Sequence, residues 1–258
     1  MPEKSIFIHI QKTAGTTLKK VVLNRAGETA CAAVYDEERW PMELNDALNN
    51  PDKNWIFGHF PFVESLEKYP ARRYTLLRHP HDRLLSHYFH VLRSTKAKHQ
   101  LWKNEFSDLD GFLRMPRMQN VQTKFLAGLA EDDAPPSEEH FQRALHRLNT
   151  SFDLVGVQER MRPFLIALAE QQGWNNLVFE TFNRGDSNAQ YTSLKTEHRA
   201  ALEAASGYDQ ILYQEAHKHF ERSWQKIPAR RRKWLAQIMR NQIHGWTNRL
   251  ASFQPQKT

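Results

Sequence analysis

The chain has 258 residues, 40% of them hydrophobic, which is enough for a core and suits one α/β domain with an appendage. A single cysteine, Cys31, excludes an internal disulfide and a cysteine-ligated metal cluster, and no apolar run reaches the length of a membrane span. The formal charge of +7 is uneven: residues 221–258 hold nine Lys/Arg against Glu221 alone, a net +8, which leaves −1 for residues 1–220, so the pattern is a neutral body with a basic tail and does not describe a nucleic-acid binder.

The first strand begins within a few residues of Met1, which leaves no room for a leader and predicts a cytoplasmic protein, peripheral to a membrane if the tail binds one. In residues 5–18, SIFIHIQKTAGTTL, the apolar run Ile6, Phe7, Ile8 and Ile10 breaks into a polar loop, and Thr16 and Thr17 then open a segment with helical spacing. Such a strand-loop-helix suits an anion. The glycine admits a close backbone, the first N–H groups and the dipole of the helix favour negative charge, and Lys12 adds a full positive one. In the nucleoside-triphosphatase loop, GxxxxGK[ST], lysine follows the second glycine, whereas Lys12 precedes the single glycine of its loop; a magnesium nucleotide is disfavoured. Taken alone, the loop reads equally well as an ordinary turn with a threonine cap.

Residues 29–34 form a short strand candidate, followed by a helix around 42–48. Residues 54–62, NWIFGHFPF, read as a strong strand ending at Gly58-His59, with Pro61 forbidding continuation. A third strand, 73–78, leads to Pro80, a good first residue for a helix with Leu84, Leu85, Tyr88 and Val91 or Leu92 on one face. Strands alternating with helices predict a parallel sheet. Helices follow over 108–115, 119–129 and 137–148, the loop EDDAPPS before the last marking a lid or insertion boundary. Strands are predicted at 152–157 and 177–182 around a helix at 162–171, then a long polar loop at 183–192 and helices at 195–205 and 209–220. From Pro228, the residues Trp234, Leu235, Ile238, Met239, Ile243, Trp246 and Leu250 make an apolar stripe on a basic helix. The predicted division is therefore an α/β domain over 1–227 and a basic tail over 228–258. Stripes at this spacing usually face a core, here the body or a second subunit as in a homodimer; contact with an anionic membrane or a polyanion is the other reading.

Ligands of parallel α/β sheets collect at the carboxyl ends of the strands. Three such ends carry polar groups here: Lys12 with its threonines, Gly58-His59, and Arg78 followed by Ser86. None presents the aspartate that holds magnesium in nucleotide enzymes, and the set suits a metal-free, multiply anionic ligand. Each residue alone has a plainer reading: Arg78 as a strand-end ion pair, Ser86 as a helix-face serine, His59 as one of 13 histidines.

The sequence HIQKTAGTT resembles the 5'-phosphosulfate loop of cytosolic and carbohydrate sulfotransferases, PKTxGTT/S, and LLRHPHDRLLSHY resembles their 3'-phosphate segment, RxPxxRxxSxY. The strand closing in GHFPF is similar to the one that carries the catalytic histidine in the heparan-sulfate 2-O-sulfotransferase branch, and NVQTKFLAGL and FDLVGVQERM resemble stretches of that branch. Two phosphate motifs in the right order, about 65 residues apart, are more specific than either alone. The resemblance implies a P-loop-like three-layer α/β fold with a central parallel sheet, helical insertions and a C-terminal basic amphipathic helix. It implies 3'-phosphoadenosine 5'-phosphosulfate as donor, no metal, no nucleic-acid partner, and transfer to a hydroxyl of a carbohydrate or glycolipid. On this reading Lys12 acts at the bridging oxygen and, with Thr13, Ala14, Gly15, Thr16 and Thr17, holds the 5'-phosphosulfate. Arg78 and Ser86 bind the 3'-phosphate, neutral His59 accepts the proton of the acceptor, Arg184 contacts the adenosine, and Gln122 and Thr123 face the acceptor. Gln11 stands where the family usually has proline and His79 where it has aspartate; neither side chain is needed for the phosphate contacts. A magnesium-dependent P-loop-type kinase or nucleotidase, and a non-catalytic binder of adenosine bisphosphate or polyanions, are the other readings.

Overall fold

The computed structural model describes residues 4–175 and 189–238. In chain order they form β1 (Lys4–Ile8), α1 (Gly15–Ala26), β2 (Cys31–Val34), α2 (Trp40–Asn49), β3 (Trp55–Gly58), α3 (Glu64–Lys68), β4 (Ala71–Leu77), α4 (Pro80–Arg93), α5 (Ala97–Lys103), α6 (Leu109–Arg114), α7 (Val121–Ala127), α8 (Glu138–Thr150), β5 (Leu154–Val157), α9 (Met161–Gln171), α10 (Ala189–Glu197), α11 (Arg199–Ala205) and α12 (Gly207–Lys226). Residues 229–238 are again helical. Among the described residues the sheet has five strands in the order β2-β3-β1-β4-β5, all parallel.

Both faces of this sheet are covered, which is why its strands read as continuous apolar runs. Ile6, Ile8, Ile56 and Val155 face a core shared with α2, α7 and α8, while Phe7, Phe57, Tyr74 and Leu76 face a second one shared with α1 and α9. The fold is thus a P-loop-like three-layer α/β arrangement. α12 gives Leu212 and Ala216 to the first core and Phe220 to the second, packing along β5. Leu235, from the first turns of the basic tail, is 1% exposed in the second core. A third cluster joins α4, α5, α6 and α11 around Leu84, Leu85, Phe112 and Leu202.

Strand ends fall short of the apolar runs for identifiable reasons. β3 stops at Gly58, where a Cβ would lie 1.7 Å from the Val34 carbonyl oxygen. His59 still donates its N–H to that carbonyl, at 2.9 Å, and Phe60 and Phe62 then turn into the core around Pro61. On α4 the buried position is Val91, whereas Leu92 is 41% exposed. The single helix predicted over 195–205 is two, α10 and α11, parted at His198, whose Nδ1 lies 2.7 Å from Asp110 Oδ1. α10 begins at Ala189, inside the stretch predicted as loop. The short helices α3 and α5 were not predicted. The strand predicted at 177–182, the loop up to residue 188 with Arg184, and the tail stripe beyond residue 238 lie outside the described residues.

α7 and α12 cap each other. The Asn120 Oδ1 accepts from the N–H groups of Tyr208 and Asp209, at 2.9 and 3.2 Å. In return the Asp209 carboxylate accepts from the N–H groups of Gln122 and Thr123, at 3.2 and 2.7 Å, and from the Thr123 hydroxyl at 2.8 Å. Orphan donors at two helix starts are satisfied by a single exchange.

Candidate active site

The connection leaving β1 runs to one side of the sheet and the connection leaving β4 runs to the other, so the crevice between their carboxyl ends is the topological switch point. The loop after β1 enters it in an unusual conformation. Lys12 and Ala14, both non-glycine, are left-handed at φ 68° and 64°, a state costing of order 1–3 kcal/mol each unless the surroundings impose it. Three bonds do so. The Thr13 hydroxyl donates to the Ile10 carbonyl at 2.7 Å, Arg78 Nη1 donates to the Lys12 carbonyl at 3.2 Å, and Gln11 Nε2 donates to Glu131 Oε2 at 2.8 Å. Left-handed residues on either side of Thr13 give the alternation from which anion-holding concavities are made. Ala14, not a threonine, is the N-cap of α1 and offers no side-chain bond, so the first N–H groups of the helix stay open to a ligand.

Lys12, Ala14, Gly15, Thr16, Thr17, His59, Arg78 and Ser86 line one cavity of about 490 Å³. Thr13 does not line it, because its side chain is fully buried on the Ile10 carbonyl. Gln122 and Thr123 do not line it either; both are fully buried. Instead of facing an acceptor, Gln122 grips the backbone of Arg78 from both sides, accepting from its N–H at 2.9 Å and donating to its carbonyl at 3.0 Å. Thr123 is spent on Asp209.

Charge in the cavity is crowded and mostly positive. Burial, then the cations Arg78, Arg93 and Arg83, lower the Lys12 ammonium to about 8. Burial and then Lys96, Lys12 and Lys98 lower His59 to about 3, and its Nε2 is sealed off without a hydrogen-bond partner. His90, chiefly by burial, falls to about 4. His9 and His87 also line the cavity, and burial holds both well below the ordinary imidazole range. One buried carboxyl balances them: Glu131, raised by burial to about 7 against the pull of Lys98, its bond from Gln11 and Arg83.

His9, His87, His90, His99 and Glu131 are cavity residues that the motifs do not single out. The density of histidine around residues 79–99 was the visible signal for three of them. Glu131 had none, since its burial depends on Lys124, itself fully buried, whose ammonium donates to the carbonyls of Pro116 and Glu131 at 2.9 Å.

The sulfotransferase family model matches residues 2–246. The chain belongs to the sulfotransferase family. No curated protein matches the sequence. Solved structures similar to this sulfotransferase-family chain include a mouse sulfotransferase complexed with PAP, at 12% identity and a TM-score of 0.46, aligned over 77% of this chain and 63% of that one. A retinol dehydratase in a complex with retinol and PAP aligns over 100% of this chain and 84% of its own, at 14% identity and a TM-score of 0.37. This family member thus spans 63% of the length of the mouse protein. Among its described residues no helix is long and apolar enough to cross a membrane, and no group of three His, Cys, Asp or Glu is set to hold a metal ion.

Proposed function

We propose that the chain moves the sulfuryl group of 3'-phosphoadenosine 5'-phosphosulfate to a hydroxyl of a carbohydrate or glycolipid by in-line transfer. The observation that carries this reading is the contact between its two cationic corners: Arg78 Nη1 bonds the Lys12 carbonyl at 3.2 Å and both residues line the same cavity. A nucleotide with phosphates at both ends has a cation to meet at each. Lys12 and the open N–H groups at the start of α1 would hold the 5'-phosphosulfate, and Arg78 with Ser86 the 3'-phosphate, where a planar guanidinium suits a doubly ionised group.

When bound, the donor supplies the sulfuryl group and a phosphate leaving group. The bond from sulfur to the bridging oxygen breaks as the bond to the acceptor oxygen forms. Charge grows on the phosphate beside Lys12, and the acceptor proton passes to His59. The orphaned Nε2 of His59 suits this role, since a buried nitrogen lacking a partner gains from a hydroxyl brought to it. His59 starts as a weak base because Lys96, Lys12 and Lys98 add to the effect of its burial; donor phosphates beside these cations would offset them, so the base strengthens when the donor is in place.

The tail belongs to the same reading. Its first turns pack through Leu235, while Arg231 bonds Glu170 at 2.6 Å and stacks on Trp234 at 4.4 Å. We assign the cations beyond them to an anionic surface or polyanion met in the cytoplasm.

A thermal shift titration with adenosine 3',5'-bisphosphate, set against ATP with magnesium, tests the donor assignment. At a concentration a hundredfold above Kd a ligand adds about 2.7 kcal/mol to the native state, so the bisphosphate should raise the melting temperature by several degrees. Equal or greater stabilisation by ATP with magnesium would restore the kinase reading.

A further inference from the structure

His9, the last residue before the loop, is 7% exposed and stands at the meeting point of three elements. Its N–H donates to the Gly58 carbonyl at 3.0 Å, its Nδ1 is 3.2 Å from the Tyr35 hydroxyl, and its ring centre is 4.4 Å from that of His59. On its other side it fills the place where a side chain at position 15 would lie: a Cβ built on Gly15 falls 1.9, 2.0 and 2.2 Å from its Nε2, Cε1 and Cδ2. Gly15 is the first residue of α1 and has no positive φ, so its backbone conformation does not require glycine. The requirement comes from the imidazole. His59 is in turn enclosed by Tyr35, edge-on at 4.7 Å.

We propose that His9 is a positioning residue: one imidazole, wedged between Gly15 and His59, sets how closely the start of α1 approaches the donor and how the ring of His59 is turned. This rests on the function proposed above, and it accounts for two features that the transfer chemistry leaves unexplained, the second imidazole and the glycine. A small residue beside a phosphate is ordinarily ascribed to the ligand; here a neighbouring side chain already occupies the space. The groups facing His9 are His59 from the end of β3, Lys12 from the loop, Lys19 from α1 and Tyr35 after β2, all cationic or neutral. They favour the uncharged ring, which can lie against His59 without repulsion.

Gly15→Ala, His9→Ala and the double variant, made in the full chain, test this by melting temperature and by calorimetric titration of adenosine 3',5'-bisphosphate. Gly15→Ala should lower the melting temperature and weaken the bisphosphate by about tenfold or more, the scale carried by a misplacement of an ångström or less. His9→Ala added to Gly15→Ala should recover both, and His9→Ser with Gly15→Ala repeats the test independently. A double variant no better than Gly15→Ala overturns the proposal. Were the unaltered chain to ignore the bisphosphate, the proposed function would fall, while the melting temperatures would still decide whether His9 is what excludes a side chain at 15. The second half is read by NMR of His59: in His9→Ala its ring signals should move and its titration midpoint should rise as water enters, and an unchanged His59 removes the positioning role.

Discussion

Lys12 is held at a cost, with a left-handed backbone and a half-quenched ammonium, and these properties belong together. Its pKa of about 8 reflects burial among Arg78, Arg93 and Arg83, so an anion that enters gains the full attraction of the cluster. Lys12→Ala should lower the rate of transfer by about 10²–10³, as removal of one preorganised group does. His59→Ala should abolish turnover yet bind adenosine 3',5'-bisphosphate as the parent does. The buried titrating groups also predict opposite pH effects on stability. His59 is lowered to about 3, so between its ordinary value near 6.5 and 3 the unfolded chain binds protons that the folded one refuses; stability falls on acidification through that window. Glu131 is raised to about 7, so its contribution is complete below about 4.5 and is lost as pH rises through 7. Glu131→Gln, which keeps an acceptor for Gln11, should match the parent at pH 4 and exceed it in stability at pH 8 by on the order of 2 kcal/mol. Chemical denaturation at the two pH values measures this, and an equal difference at both would show that Glu131 does not titrate on folding.

Among the elements, α7 and α12 show how a structural exchange serves the site. Asp209 satisfies the first N–H groups of α7, and Gln122, on the same turn, clamps the backbone of Arg78. Asp209→Ala should cost about 1–3 kcal/mol of stability, as loss of a buried cap does, and should weaken bisphosphate binding although Asp209 is remote from the ligand. Binding that survives while stability drops would confine Asp209 to the scaffold. The strand-loop-helix at the start of the chain was legible because an apolar run, a polar loop and a helical period follow one another within twenty residues. The break at His198 was not, because the side chain of Asp110 that meets it lies 88 positions away. Gln122 and Thr123 were misread for the same reason. Two polar residues at a helix start look like ligand contacts until Arg78 and Asp209 are seen to consume them.

In the whole molecule the order β2-β3-β1-β4-β5 makes a site of residues 66 positions apart, by putting the ends of β1 and β4 side by side where the chain changes direction. The motifs indicated these residues, and eight-residue spacing carried Ser86 two turns into α4 on the side of the cavity. Strand order was not legible, since no residue records which side a crossover takes. Nor was the role of His9, whose neighbours Gly15 and His59 come together only in the folded sheet. The central claim is that two cationic corners hold opposite phosphates of one nucleotide. It is tested most directly by calorimetric titration of adenosine 3',5'-bisphosphate and adenosine 5'-phosphate into the parent chain and Arg78→Ala. The parent should prefer the bisphosphate by about tenfold or more, the worth of one charge-assisted contact, and Arg78→Ala should bind the two alike; an Arg78→Ala variant that keeps the full preference would contradict the account.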